Sequence, residues 1–66
     1  MSWTYSIQTS VKEDGSITYF YEATGLLDRS KFTQFGNEYK TEDAARTSLK
    51  KFMRKYNIEG MQECVQ

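Results

Sequence analysis

The stretch from Thr41 to Tyr56 limits the possible folds most: it is a capped helix with apolar and basic residues on separate faces, in a chain that otherwise reads as strand. Thr41 offers a capping hydroxyl. Glu42 and Asp43 fall in the first turn, where the positive end of the helix dipole favours carboxylates. Ala45, Leu49, Phe52, Met53 and Tyr56 recur at helical spacing and form one apolar stripe. Arg46, Lys50, Lys51, Arg54 and Lys55 fill the rest of the circumference. This pattern predicts a helix over about 42–57, with Asn57 and Gly60 ending it.

The apolar stripe needs a sheet to cover, and the preceding chain supplies one. Trp3, Tyr5, Ile7 and Val11 alternate with Thr4, Ser6, Gln8 and Ser10, predicting a strand over 3–11. Ile17, Tyr19, Tyr21 and Ala23 alternate with Thr18, Phe20 and Glu22, predicting a second strand over 17–23. Between them lies the turn signal Asp14-Gly15. A two-residue loop would pair Val11 with Thr18 and set an apolar face beside a polar one. A three-residue loop, Glu13-Asp14-Gly15 with a left-handed Gly15, instead pairs Val11 with Ile17, Ile7 with Tyr21 and Tyr5 with Ala23. That register puts both apolar sets on one side.

Residues 24–29 read as a turn in which Leu26 and Leu27 fold back onto the edge of the core. A third short strand is predicted over 31–35, ended by Gly36-Asn37. Phe32 and Phe35 have opposite parity, so a regular strand buries only one of them on a given face. Beyond the helix, Ile58, Met61 and Val65 either tuck against the sheet or stay mobile. The reading is α+β: one domain over 1–66, a three-stranded antiparallel β-meander packed against one C-terminal α-helix. Its expected core is Trp3, Tyr5, Ile7, Val11, Ile17, Tyr19, Tyr21, Ala45, Leu49, Phe52, Met53 and Tyr56.

At 66 residues such a domain buries a small share of its surface, so its core must rely on large side chains or on an oligomer. An aromatic content of 15% meets that need. Cys64 is the only cysteine and histidine is absent, which excludes an internal disulfide and the usual zinc-ligand sets. A reducing, cytoplasmic setting follows. No signal peptide or apolar run long enough for a membrane span is expected.

The formal net charge is zero, which argues against a surface that binds nucleic acid all over. The balance conceals a segregation. Between Ala44 and Tyr56 every charge is basic, while Glu13, Asp14, Glu22, Asp28, Glu38, Glu59 and Glu63 make the remainder acidic. A basic helix face also complements the negative end of its own dipole.

Little in the chain suits catalysis. Glu42 and Asp43 point about 100° apart on a helix and already have a dipole role. Cys64 has no histidine to activate it. Gly15, Gly25, Gly36 and Gly60 are scattered as turn residues and form no phosphate loop. No enzyme activity, cofactor or metal is expected.

The outer sheet face is the stronger candidate. It presents Thr4, Ser6, Gln8 and Ser10, then Thr18, Phe20 and Glu22, then either Lys31, Thr33 and Phe35 or Ser30, Phe32 and Gln34. Phe20 beside Phe32 or Phe35 would form an aromatic centre, with Ser6, Gln8 and Thr33 as a polar rim. Alternatively, the Leu26-Leu27 loop or the tail shields Phe20.

Phe35-Gly36, Tyr39, Thr41 and Glu42-Asp43-Ala44-Ala45-Arg46 resemble the segment joining the last strand to the helix in plant AP2 DNA-binding domains and phage-integrase arm-binding domains. The resemblance runs from Gly15 to Tyr56 and implies a three-stranded sheet that enters the major groove, backed by the helix. Those sheets reach DNA with arginine, lysine and tryptophan. Here the outward positions carry Ser, Thr and Gln, and Glu22 would repel phosphate. The expected function is a small non-enzymatic binding protein, a protein-interaction or regulatory or inhibitory module of the kind bacteria or phages encode. It would use Phe20, Phe32, Phe35, Ser6, Gln8 and Thr33 on another protein, or pair through an edge strand with a second copy. The alternative is a DNA-binding accessory protein using the sheet face or Arg46, Lys50, Lys51, Arg54 and Lys55 on phosphates.

Overall fold

A computed structural model describes residues 3–63. The elements run β1 (Trp3–Val11), β2 (Ile17–Leu27), β3 (Ser30–Phe35), α1 (Glu42–Lys55) and β4 (Met61–Glu63). They form a mixed four-stranded sheet, in the order β3-β2-β1-β4, with the helix on one face. The first three strands are antiparallel neighbours, and β4 pairs with β1 in parallel, Trp3 opposite Met61 and Tyr5 opposite Glu63. The expected three-stranded sheet is thus corrected to four strands. A three-residue strand with one apolar side chain has no alternation to read, and its pairing partner lies at the other end of the chain.

The β1–β2 register is Val11 with Ile17, Ile7 with Tyr21 and Tyr5 with Ala23. Parity dictates it, and the loop geometry closes it. Gly15 sits at φ 87° and its N–H donates to the Lys12 carbonyl at 2.9 Å, while the Lys12 N–H donates to the Ser16 carbonyl at 2.8 Å. Glycine takes this left-handed conformation without the steric cost of a β-carbon. Asp14 secures the turn by accepting from the Ser16 hydroxyl at 2.7 Å and its N–H at 2.9 Å.

The 24–29 segment is more extended than its composition suggests. β2 continues through Gly25 to Leu27 and returns as β3 through Asp28 and Arg29, at φ 51° and 69°. Two positive φ values in a two-residue hairpin loop match the twist of the flanking strands. The register therefore places Leu26 on the outer face, 42% exposed, at the sheet end where it borders a cleft with Trp3, Tyr56 and Ile58. Gly25 is a packing residue: the indole of Trp3 fills the space a β-carbon there would need. The ring of Tyr21 makes the same demand of Gly36.

Thr41 caps α1 by accepting from the Ala44 N–H at 3.1 Å. At the other end Tyr56 is the cap and Asn57 turns left-handed at φ 57°. The Ile58 N–H then donates to the Met53 carbonyl at 2.9 Å and the Asn57 N–H to that of Arg54 at 3.3 Å. Together they close a Schellman motif two residues before the expected end, and Ile58 and Met53 both pack against the core.

Trp3, Tyr21, Ala23, Ala45, Leu49 and Phe52 are the buried core. Tyr5, Ile7, Phe32, Met53, Ile58 and Met61 are partly buried around it. Trp3 meets Phe52 edge-on at 5.8 Å between centroids and Phe32 at 6.3 Å. Fully burying an aromatic or leucine side chain contributes about 1.5–3 kcal/mol, so a few such residues decide whether a domain this size folds. Val11 and Ile17, expected in the core, are 71% and 49% exposed. A 14-residue helix spans about 21 Å, whereas the eleven residues of β2 span about 37 Å. The far end of the hairpin lies beyond the helix. Tyr56 is also more open than expected, at 37%. Of the expected tail, Ile58 and Met61 pack on the core, while Cys64 and Val65 lie outside the described residues.

Candidate functional site

Side chains alternate across each strand, so one set of positions faces away from α1. From the register these are Thr4, Ser6, Gln8 and Ser10 of β1, Thr18, Phe20, Glu22, Thr24 and Leu26 of β2, and Lys31, Thr33 and Phe35 of β3. Among the described residues no other element packs over them. Phe20 and Phe35 meet across β2 and β3 with centroids 6.4 Å apart and planes at 51°. Phe35 is 58% exposed. Phe20 itself is half-buried.

The polar groups around this pair are partly tied to one another. Gln8 donates its amide to the Ser6 hydroxyl at 2.7 Å, and the hydroxyls of Thr24 and Thr33 lie 3.2 Å apart. Gln8 is opposite Phe20, and Glu22 lies between Ser6 and Phe35 across the strands. The surface thus has an aromatic centre, a hydroxyl and amide surround and one negative charge beside the rings.

Phe32 does not belong to this face. It lies opposite Gly25 on the helix side, in contact with Trp3 and with Tyr56 at 6.3 Å. Of the two arrangements open to β3, the structure adopts the one with Lys31, Thr33 and Phe35 outward. Ser6, Gln8, Phe20, Thr33 and Phe35 are brought together, and Phe32 is a core residue.

The basic helix residues divide. The Arg46 guanidinium lies 3.1 Å from the Glu63 carboxylate and 3.8 Å from Glu42, and donates to the Tyr5 hydroxyl at 3.5 Å. Arg46 therefore fastens β4 to the helix. Lys50 and Arg54 line one flank of α1 with Met53, Asn57 and Ile58. Lys51 and Lys55 line the opposite flank with Ser48, Gln34, Tyr21, Phe52 and Tyr56. Among the described residues none of these four cations pairs with a carboxylate.

The second flank went unrecognised in the sequence because Gln34 and Tyr21 reach it from strands whose placement depends on the β3 register. Its one legible signal was the Ser48, Lys51, Lys55 spacing, which puts those side chains on one side of a helix. Burial holds the Tyr21 phenol above its ordinary pKa, an effect partly offset by the nearby Gln34 amide, so it stays protonated.

Among the described residues no group of His, Cys, Asp and Glu could hold a metal ion, and no helix is long and apolar enough to cross a membrane. No protein-family model, curated protein or solved structure matches the chain.

Proposed function

We propose that this chain is a small non-enzymatic binding protein that engages another protein through its uncovered sheet face. The outward pair of half-buried Phe20 and exposed Phe35 carries the reading. An aromatic centre rimmed by Ser6, Gln8, Thr24 and Thr33 has the make-up of a protein interface, with apolar anchors inside and hydrogen-bonding groups outside. Glu22 beside Phe35 selects the partner's chemistry: an apolar side chain to cover the rings and a lysine or arginine to meet the carboxylate. The same charge disfavours a phosphate backbone on this face. A cytoplasmic setting and bacterial or phage origin belong to the same proposal.

The test is photo-crosslinking in the native host with a reactive residue at Thr33, in the parent protein and in Phe35→Asp. Capture of a defined protein that the Asp variant loses, with both proteins folded at the temperature of the assay, is the expected result. Equal capture by both would remove the face from consideration.

DNA binding by the helix is the second reading, favoured by the four cations that pair with no carboxylate among the described residues. A gel shift checks it, since phosphate contacts weaken steeply as salt rises through counterion release. No retention at low salt eliminates it.

A further inference from the structure

The flank of α1 that faces β3 is a cleft of about 210 Å³ whose lining converges several hydrogen-bond donors. Ser48, Lys51 and Lys55 reach it from three successive helical turns, Tyr21 from β2 and Gln34 from β3, one amide hydrogen of Gln34 being directed to the Phe35 carbonyl at 3.4 Å and the other left for a ligand, while Phe52 and Tyr56 supply aromatic walls. The Lys55 ammonium sits 5.6 Å from the centroid of the Tyr56 ring, which holds it at the rim. Among the described residues no carboxylate lines the cleft. The neighbouring clefts differ: the one beside Lys50 and Arg54 adds only the Asn57 amide, and Arg46 in the one beside Tyr5 is already paired with Glu63.

We infer that this cleft binds a phosphate monoester, with Lys51 and Lys55 meeting its charge and Ser48, Gln34 and Tyr21 donating to its oxygens. Two ammonium groups match a dianion. Three terminal oxygens can take up the remaining donors, more than one carboxylate would engage. The cleft lies along the last turns of α1, where the helix dipole repels anions, so both lysines are needed to overcome it. This site is on the opposite side of the sheet from the Phe20–Phe35 face and stands independently of the protein-binding reading.

The test is a two-dimensional NMR titration of the whole chain with inorganic phosphate and with methyl phosphate, using sodium chloride at matched ionic strength as reference. Saturable shifts confined to Tyr21, Gln34, Ser48, Lys51, Lys55 and Tyr56 are expected, with affinity weakened by about tenfold or more in K51Q/K55Q and unchanged in K50Q/R54Q. Both pairs, Lys51/Lys55 and Lys50/Arg54, are solvent-exposed, so each variant should keep the parent fold without ligand. Phosphate affinity should rise between about pH 5.5 and about pH 7.5 as the second proton leaves, while sulfate shows no such change. Shifts spread equally over Lys50 and Arg54, shifts that persist in K51Q/K55Q, or a pH-independent phosphate affinity would overturn the proposal.

Discussion

The indole of Trp3 occupies the space in which a β-carbon on Gly25 would lie. Gly25→Ala must therefore displace a buried ring that also contacts Phe52 and Phe32. Overpacking of this kind costs about 1–3 kcal/mol, and a urea-unfolding midpoint lowered with an unchanged slope would register it. A midpoint equal to the parent's would mean that the indole is not seated on Gly25.

The two phenylalanines of β3 should respond in opposite ways. Phe32→Ala removes a ring packed against Trp3 and Tyr56 and is expected to cost about 2–3 kcal/mol. Phe35→Ala loses an exposed ring whose one aromatic partner is Phe20, for about 0.5–1 kcal/mol. Thermal unfolding of the two variants side by side checks the face assignment, and equal losses would contradict it.

Asp28 and Arg29 both hold positive φ without being glycine. Replacing them with Asn-Gly, the pair best suited to this hairpin loop, should raise stability by about 0.5–1 kcal/mol. A drop in stability would show that the Asp28 or Arg29 side chain contributes something the backbone does not.

Acid should weaken the hairpin end of the sheet. The Ser16 hydroxyl and N–H hold the Asp14 carboxyl below its ordinary 3.8, and the Lys12 ammonium with the Thr18 hydroxyl holds Glu38 below 4.5. Both groups bind protons more readily in the unfolded chain, so their stabilisation is full above the ordinary values and is lost as pH falls through the lower folded ones. Glu38→Gln should thus differ from the parent in melting temperature at neutral pH and converge with it once the pH has fallen through the lowered folded value. A gap that stays constant with pH would exclude the linkage.

The parts legible in the sequence are those decided by local chemistry. Side-chain parity dictates that Val11 lies opposite Ile17, and Thr41 with Asn57 marks the ends of α1 in the residue types themselves. Other features depend on contacts distant along the chain. Gly25 resembles a turn residue until Trp3 is known to cover it, and Phe32 can be separated from Phe35 only once β3 is paired with β2. Val11 and Ile17 fit a core pattern, but the helix is too short to reach them. The β1 and β2 part of the outer face could be composed in advance as Ser6, Gln8 and Phe20, whereas Thr33 waited, like Phe35, on the pairing of β3. The flank cleft could not, because it joins helix and strand side chains whose juxtaposition is tertiary.

The parallel pairing of β4 with β1 brings together residues 58 positions apart, as in the 3.3 Å contact between the Tyr5 hydroxyl and the Glu63 carboxylate. Every other strand pairing joins neighbours along the chain. Closing so long a loop for three residues of ladder gives little return until both hairpins and the helix stand, so β4 docks last during refolding and detaches first. The edge of β1 at Trp3–Tyr5 is thus the paired part of the sheet that opens first, and amides there should exchange with solvent through a local event well before the molecule unfolds as a whole.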